Sequence, residues 1–198
     1  MEVDVIDTLA GIAAGSPIDG IRRTRRAVAR EHAQKSYDSL FAPADFGGFG
    51  AAERFAIAVF VAGLHGQTAI KDFYAAKLKA AGIADTTRAA IDAEIAAAAT
   101  KGPYGAYPKG PLSAEDTPGP IHRIAGANRG ALGPRLASAF EHVHMLVFHP
   151  RDAAPPSLQA MLDAGWSTDA VVTLSQLVAF LSFQIRVVAG LKVLAAKV

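Results

Sequence analysis

Glu53–Gly82 reads ERFAIAVFVAGLHGQTAIKDFYAAKLKAAG, and this stretch decides the class of fold. From about Ala51 to Leu64 the chain is almost continuously apolar, with Glu53-Arg54 at its start, and Gly66 marks a junction. Over 68–80, Ile70, Phe73, Tyr74, Lys77 and Leu78 recur three or four apart, the spacing that lines one face of a helix. Gly82 then stands where a glycine just past the last turn closes a helix. The chain has 42 alanines, the strongest helix former, mostly inside such windows. No stretch sustains the period-two alternation of a half-buried strand. The expectation is an all-α protein.

Working outward, residues 4–14 predict a short helix ended by Gly15-Ser16-Pro17, and a second runs from Pro17 or Asp19 to Leu40. Pro17 suits a first helical turn, where its missing N–H costs nothing. Gly47-Gly48-Phe49-Gly50 precedes a helix but follows no strand, so it reads as a turn rather than a phosphate loop. Downstream, Asp85 is expected to cap a helix reaching about Ala99. Residues 101–134 are dense in Gly and Pro and read as a long ordered loop or a linker. Tyr104, Tyr107, Ile121 and Ile124 argue that parts of it pack down, with a short helix around 121–128. Helices follow over 134–149, 156–163 and 168–192, the last capped by Ser167 with Asp169 in its first turn. Leu174, Leu177, Leu181 and Val188 stripe that last helix, and Phe180, Phe183 and Val187 widen the stripe until little polar face remains. Such a helix belongs in a core or a subunit interface. Its longest uncharged run, Ala170–Ile185, is short for a membrane span.

A weak repeat, Leu78–Asp85 against Met161–Thr168, places a short helix, a glycine, an apolar residue and a new helix at an offset of 83 residues. A true repeat implies two helical units in pseudo-two-fold packing; chance likeness in an Ala-rich chain is the alternative.

The 198 residues carry 51% hydrophobic and 19% charged residues, a globular composition. There is no cysteine, which excludes disulfides, thiolate metal sites and every cysteine-based mechanism. A net charge of +2 argues against a nucleic-acid footprint. The acidic opening Met1-Glu2-Val3-Asp4 carries no apolar signal segment, so a cytoplasmic setting away from membranes is expected.

The segment Glu53–Gly82 resembles the core helices of the carboxymuconolactone decarboxylase and alkylhydroperoxidase D superfamily. There an E-R pair opens an apolar helix, and an Asn-Gly turn leads into C-x-x-C-x-x-x-H on a helix ending in A-G. Leu162-Asp163-Ala164-Gly165-Trp166-Ser167, followed by an apolar helix ending near Arg186, resembles the second half of its peroxidase-like members. His32-Ala33-Gln34 and Ser36-Tyr37 look like a bacterial subgroup of such domains. The resemblance implies an alkylhydroperoxidase D-like helical fold in a single 1–198 domain: an N-terminal arm (1–50), a first unit (51–100), the Gly/Pro-rich connection (101–133) and a second unit (134–198). It places the two motif cysteines on Gln67 and Ile70, the histidine on Tyr74 and the turn asparagine on His65, with Gly66 matching. The proton-relay glutamate falls on Phe55, while Glu53 corresponds to the helix-opening acid. Peroxide reduction there needs one thiolate to attack oxygen and a second thiol to resolve the sulfenate, and Gln and Ile do neither.

The candidate pocket is therefore His65, Gln67, Lys71 and Tyr74 with Glu53 nearby. Gln67, Lys71 and Tyr74 fall near one helix face, suited to a small anion or carbonyl compound, and His65 is expected to be able to carry a proton near neutral pH. The alternative is a degenerate pocket whose polar groups bond each other. A second cluster is Glu141, His142, His144 and His149. His142 and His149, about 10 Å apart on a straight helix, cannot be adjacent ligands. Glu141 and His144 could meet, and a metal there would need another ligand such as Glu53 or His65. The plainer reading is a histidine-rich helix face buried between the units. Arg22, Arg23, Arg25, Arg26, Arg30 and Lys35 read as a solvated or salt-bridged outer face.

Three functions compete: a small-molecule-binding or accessory module on a degenerate peroxidase scaffold, a cysteine-free enzyme of that superfamily, and a structural partner of an active relative. No cofactor is expected. The apolar helices 51–64 and 168–188, together with the resemblance, imply a homo-oligomer.

Overall fold

The computed structural model describes residues 4–197, as nine α-helices with 3-10 turns at Pro111–Glu115 and Pro150–Asp152. The β pairing among the described residues is an isolated bridge between Gly105 and Thr117. The helices are α1 (Val5–Ala10), α2 (Pro17–Arg25), α3 (Ala27–Phe41), α4 (Ala51–Leu64), α5 (Thr68–Ala80), α6 (Asp85–Ala98), α7 (Gly126–Phe148), α8 (Pro155–Asp163) and α9 (Thr168–Ala195). The protein is all-α.

The stretch that decides the class also builds the centre. Residues Ala56–Ala62 of α4 are buried on every side, sheathed by α3, α5, α6, α7 and α9. Helix α4 starts where the Glu53 carboxylate accepts from the Gly50 amide (3.1 Å), occupying one of the donors a helix start leaves free. Phe60 stacks on Phe140 of α7 with ring centroids 4.3 Å apart. Gly63 lets α6 lie close: a Cβ there would stand 2.6 Å from Ile95 Cδ1. Arg54, buried beside Glu53, donates to the carbonyls of Leu40 (2.6 Å), Phe46 (3.3 Å) and Phe49 (2.8 Å) and so fixes the turn before α4.

Several boundaries differ from expectation. The first helix stops at Ala10 rather than 14, because Gly11 turns left-handed (φ 71°). The helix expected over 17–40 breaks at Arg26 (φ −133°) into α2 and α3. Ala84 rather than Asp85 precedes α6, and Asp85 instead pairs with Arg88. The helices expected at 121–128 and 134–149 become α7, interrupted at Gly133 (φ 72°, ψ 167°) ahead of Pro134. Part of the basic run is inside: Arg22 is buried against Asp4 and Asp7, and Arg30 holds Asp7 at 2.9 Å. Helix α9 reaches 28 residues and is, by length and composition, the one helix among the described residues able to cross a membrane. In the fold, its Leu174, Leu177, Leu181 and Ile185 are buried and it packs along α1, α3, α4 and α7.

Candidate functional site

The five side chains expected to share a pocket are distributed among different jobs. Tyr74 is in the core; its hydroxyl donates to Gln184 Oε1 of α9 (2.7 Å), and its ring stacks on Phe41 with centroids 5.2 Å apart. Burial pushes the Tyr74 phenol far up. Lys71 turns to α6 and pairs with Asp92 (2.9 Å). Glu53 pairs with Arg135 of α7 (2.8 Å) besides capping α4. Gln67 bends back toward the His65 carbonyl (3.5 Å), and His65 Nε2 lies 3.4 Å from Ser182 Oγ. Burial, and then the Arg186 charge, hold His65 below its usual range. His65 and Gln67 therefore meet, whereas Lys71, Tyr74 and Glu53 each face a different neighbouring helix. Equivalence on one helix face did not suffice, because the Lys71 side chain reaches Asp92 of α6 while the Tyr74 hydroxyl reaches Gln184 of α9.

A cavity of about 530 Å³ lies at the other histidine cluster. One wall is α7, where Ser138, Glu141, His142 and Met145 follow one another at helical spacing. The opposite wall is the Gly/Pro-rich connection, through Pro118, Gly119, Ile121, His122 and Arg123, and α8 closes a third side with Pro156, Ser157 and Ala160. Four of the six histidines, His122, His142, His144 and His149, line it.

The connection is ordered because it is tied down along its length. The Tyr104 amide donates to the Phe148 carbonyl (2.6 Å), and the Tyr104 hydroxyl meets Thr100 Oγ1 (2.8 Å). Gly119 passes so close to the Tyr104 ring that a Cβ would sit 2.2 Å from its Cγ. Glu141 accepts from the Ile124 amide (3.0 Å) and pairs with Arg129 (2.6 Å) and Arg123 (3.2 Å). Glu94 of α6, fully buried, accepts from the Ala125 amide (3.1 Å) and Asn128 Nδ2 (2.7 Å).

These anchors shape the polar end of the cavity. Glu94 Oε2 stands 2.9 Å from His122 Nε2, but the two do not align as a hydrogen bond. Asp152 Oδ2 lies 3.2 Å from His149 Nδ1, and His149 Nε2 lies 3.4 Å from His144 Nδ1. His144 is pushed down to about 4 by burial, reinforced by the imidazoles of His122 and His149. Burial also lowers His142, and neither of its buried ring nitrogens has a protein partner. A neutral imidazole can donate and accept at once, so His142 carries an unmet donor and an unmet acceptor behind the cavity wall. The pairing of Glu141 with His144 as metal ligands does not form, since Glu141 is taken by two arginines and an amide while His144 faces His149. Among the described residues no three acidic, imidazole or thiol groups already converge at ligand distance.

Glu141, His142, His144 and His149 were legible as a cluster. His122, Glu94 and Asp152 were missed. His122 sits in irregular chain with no periodicity to place it, and Glu94 stands in an Ala-rich helix whose sequence carries no sign that a carboxylate is buried there. The available signal was the concentration of four histidines within 122–149 together with aromatic residues in a Gly/Pro segment. Comparison of the chain with protein-family models, curated proteins and solved structures gives no match.

Proposed function

We propose that this chain is a small-molecule-binding, accessory protein on an alkylhydroperoxidase D-like helical scaffold, without thiol peroxidase chemistry, and that its binding site is the histidine-lined cavity between α7, α8 and the 118–123 segment. The observation that carries the reading is His142: a buried imidazole with two unpartnered nitrogens on the wall of an otherwise largely apolar cavity of about 530 Å³. A concave apolar space with a few convergent polar groups of shifted pKa is the usual form of a ligand site. The ligand favoured is neutral and mostly apolar, with one hydroxyl or carbonyl for His142. An anion is disfavoured, because Asp152 and Glu141 line the cavity and Arg123 is already paired with Glu141. The absence of cysteine supports the exclusion of dithiol turnover. We place the protein in the cytoplasm, with α9 as a core helix rather than a span.

A cysteine-free enzyme of the same superfamily is the second reading, and the line Asp152–His149–His144 favours it, since a carboxylate-oriented imidazole is the usual means of moving a proton. Saturation-transfer NMR with 2-naphthol tests the binding reading. The probe should show contact with wild-type protein, 2-naphthoate should show little, and Ala160→Trp, which fills the cavity from the exposed α8 side, should abolish the signal. A naphthol signal unchanged by Ala160→Trp, or none in the wild type, would overturn it.

A further inference from the structure

One wall of the cavity hangs between two ties. At one end Gly105 and Thr117 exchange backbone hydrogen bonds (2.8 and 3.3 Å), and at the other the Ile124 amide donates to Glu141 (3.0 Å). Between these ties, among the described residues, no backbone N–H or C=O of residues 118–123 has a hydrogen-bond partner in the protein. Pro118 and Pro120 have no N–H to give. Two inward residues root the segment: Gly119 lies against the Tyr104 ring, and the His122 side chain is tucked beside Glu94 (2.9 Å). Pro120 and Ile121 stand out between these roots. Ile121 lines the cavity and is nevertheless 70% exposed, so it stands at the mouth. This tip can move without breaking a backbone hydrogen bond, which marks a segment of low local stability.

We propose that Ile121 is the gate of this cavity: the Pro120-Ile121 tip folds down over an apolar ligand and carries the Ile121 side chain from solvent into the mouth, while Gly119 and His122 keep their places. A ligand moves such an equilibrium only by binding one of the two states better. A mostly apolar ligand does so, because it gives the inward Ile121 an apolar surface to cover that the empty cavity lacks. Taking an isoleucine side chain out of water in this way shifts the balance toward the closed state by about tenfold. A charged ligand offers no such surface and leaves the tip outward. The gate therefore adds a second selection for apolar ligands, made at the mouth, to the one made by the lining.

The inference rests on the cavity being the ligand site, and adds a moving part to it. The chain has no cysteine, so Ile121→Cys places a single thiol on the tip. Its alkylation by iodoacetamide is followed in the full-length chain, without ligand and with saturating 2-naphthol. The thiol should react freely without ligand and about tenfold more slowly with it. A fixed tip keeps its outer side open to solvent, so ligand in the cavity below would leave the rate unchanged. Leu112→Cys, at a side chain also exposed (53%) but outside the cavity, should react at one rate in both conditions. Ile121→Ala should weaken naphthol binding by about tenfold, and Leu112→Ala should leave it unchanged. Naphthol contact in saturation-transfer NMR with an unchanged Ile121→Cys thiol rate, or with full affinity in Ile121→Ala, would sink the gate alone. No naphthol contact in the wild type would sink the cavity reading, and the gate with it.

Discussion

The Glu53 carboxylate grips the Arg135 guanidinium at 2.8 Å through Nε and 3.3 Å through Nη2, joining the first turn of α4 to α7 across 82 residues of sequence. Arg135 also donates to the carbonyls of Gly48 (2.7 Å) and Gly165 and lies over the Trp166 ring, 4.4 Å from its centroid. One planar fork thus closes the turn before α4, α7 and the turn before α9. Arg135→Ala should cost about 2 kcal/mol in urea unfolding, below the range for a fully buried pair because both side chains are partly exposed. Arg135→Lys should recover less than half, since an ammonium cannot fork. A loss under 0.5 kcal/mol would show that the contacts add little.

The Tyr74–Gln184 hydrogen bond makes a second structural claim on a residue that the sequence offers as functional. Tyr74→Phe leaves the buried Gln184 side chain without its donor and should destabilise by about 1–2 kcal/mol. Replacing both partners, with Tyr74→Phe and Gln184→Met, should return most of that loss, because paired apolar groups carry no unsatisfied polar atom. Binding of 2-naphthol should be unaffected in the single variant. An additive double variant would mean that the two side chains are not energetically coupled.

The helices were legible where local chemistry alone sets them: the apolar run of α4, Gly82 past α5, and Ser167 before α9, whose Oγ accepts from the Ala170 amide at 3.2 Å. Boundaries failed where one backbone angle decides, as at Gly11 and Arg26, since neither the apolar pattern nor composition reports a single φ. The site was half legible. Glu141, His142, His144 and His149 share one segment and show as a pattern, whereas His122 and Glu94 reach them only through tertiary contacts that the Gly119–Tyr104 approach permits. Reading Gln67, Lys71 and Tyr74 as one face missed that Lys71 and Tyr74 find their partners on two different helices, α6 and α9.

Self-association should run through α9. Val172, Ala179, Phe183 and Leu194 lie on its outer side, with Val172, Phe183 and Leu194 being 53%, 47% and 42% exposed. Phe180, one turn away, is buried beside Tyr37 and serves the core instead. Sedimentation equilibrium of the wild type is expected to give at least a dimer, and Val172→Glu with Phe183→Glu a monomer of unchanged helicity. A monomeric wild type at high concentration would refute this.

The cavity histidines should make stability depend on pH in one defined window. His144 is held down to about 4 by burial, with the imidazoles of His122 and His149 beside it and the Ala98 carbonyl opposing the shift. In the unfolded chain it titrates near about 6.5. Between these values the unfolded state binds the extra proton and the native state does not, so acid favours unfolding. The contribution is complete above about 6.5, falls as the pH drops toward about 4, and is level below that. His142, lowered by burial alone, adds in the same direction. The urea midpoint of the wild type should therefore decline more steeply over this window than that of His144→Asn, and the double variant with His142→Asn should be flatter still. Carboxylates titrate alike in all three, so the difference between curves isolates the imidazoles. Parallel curves would show that His144 takes up its proton in the native state as readily as in the unfolded chain.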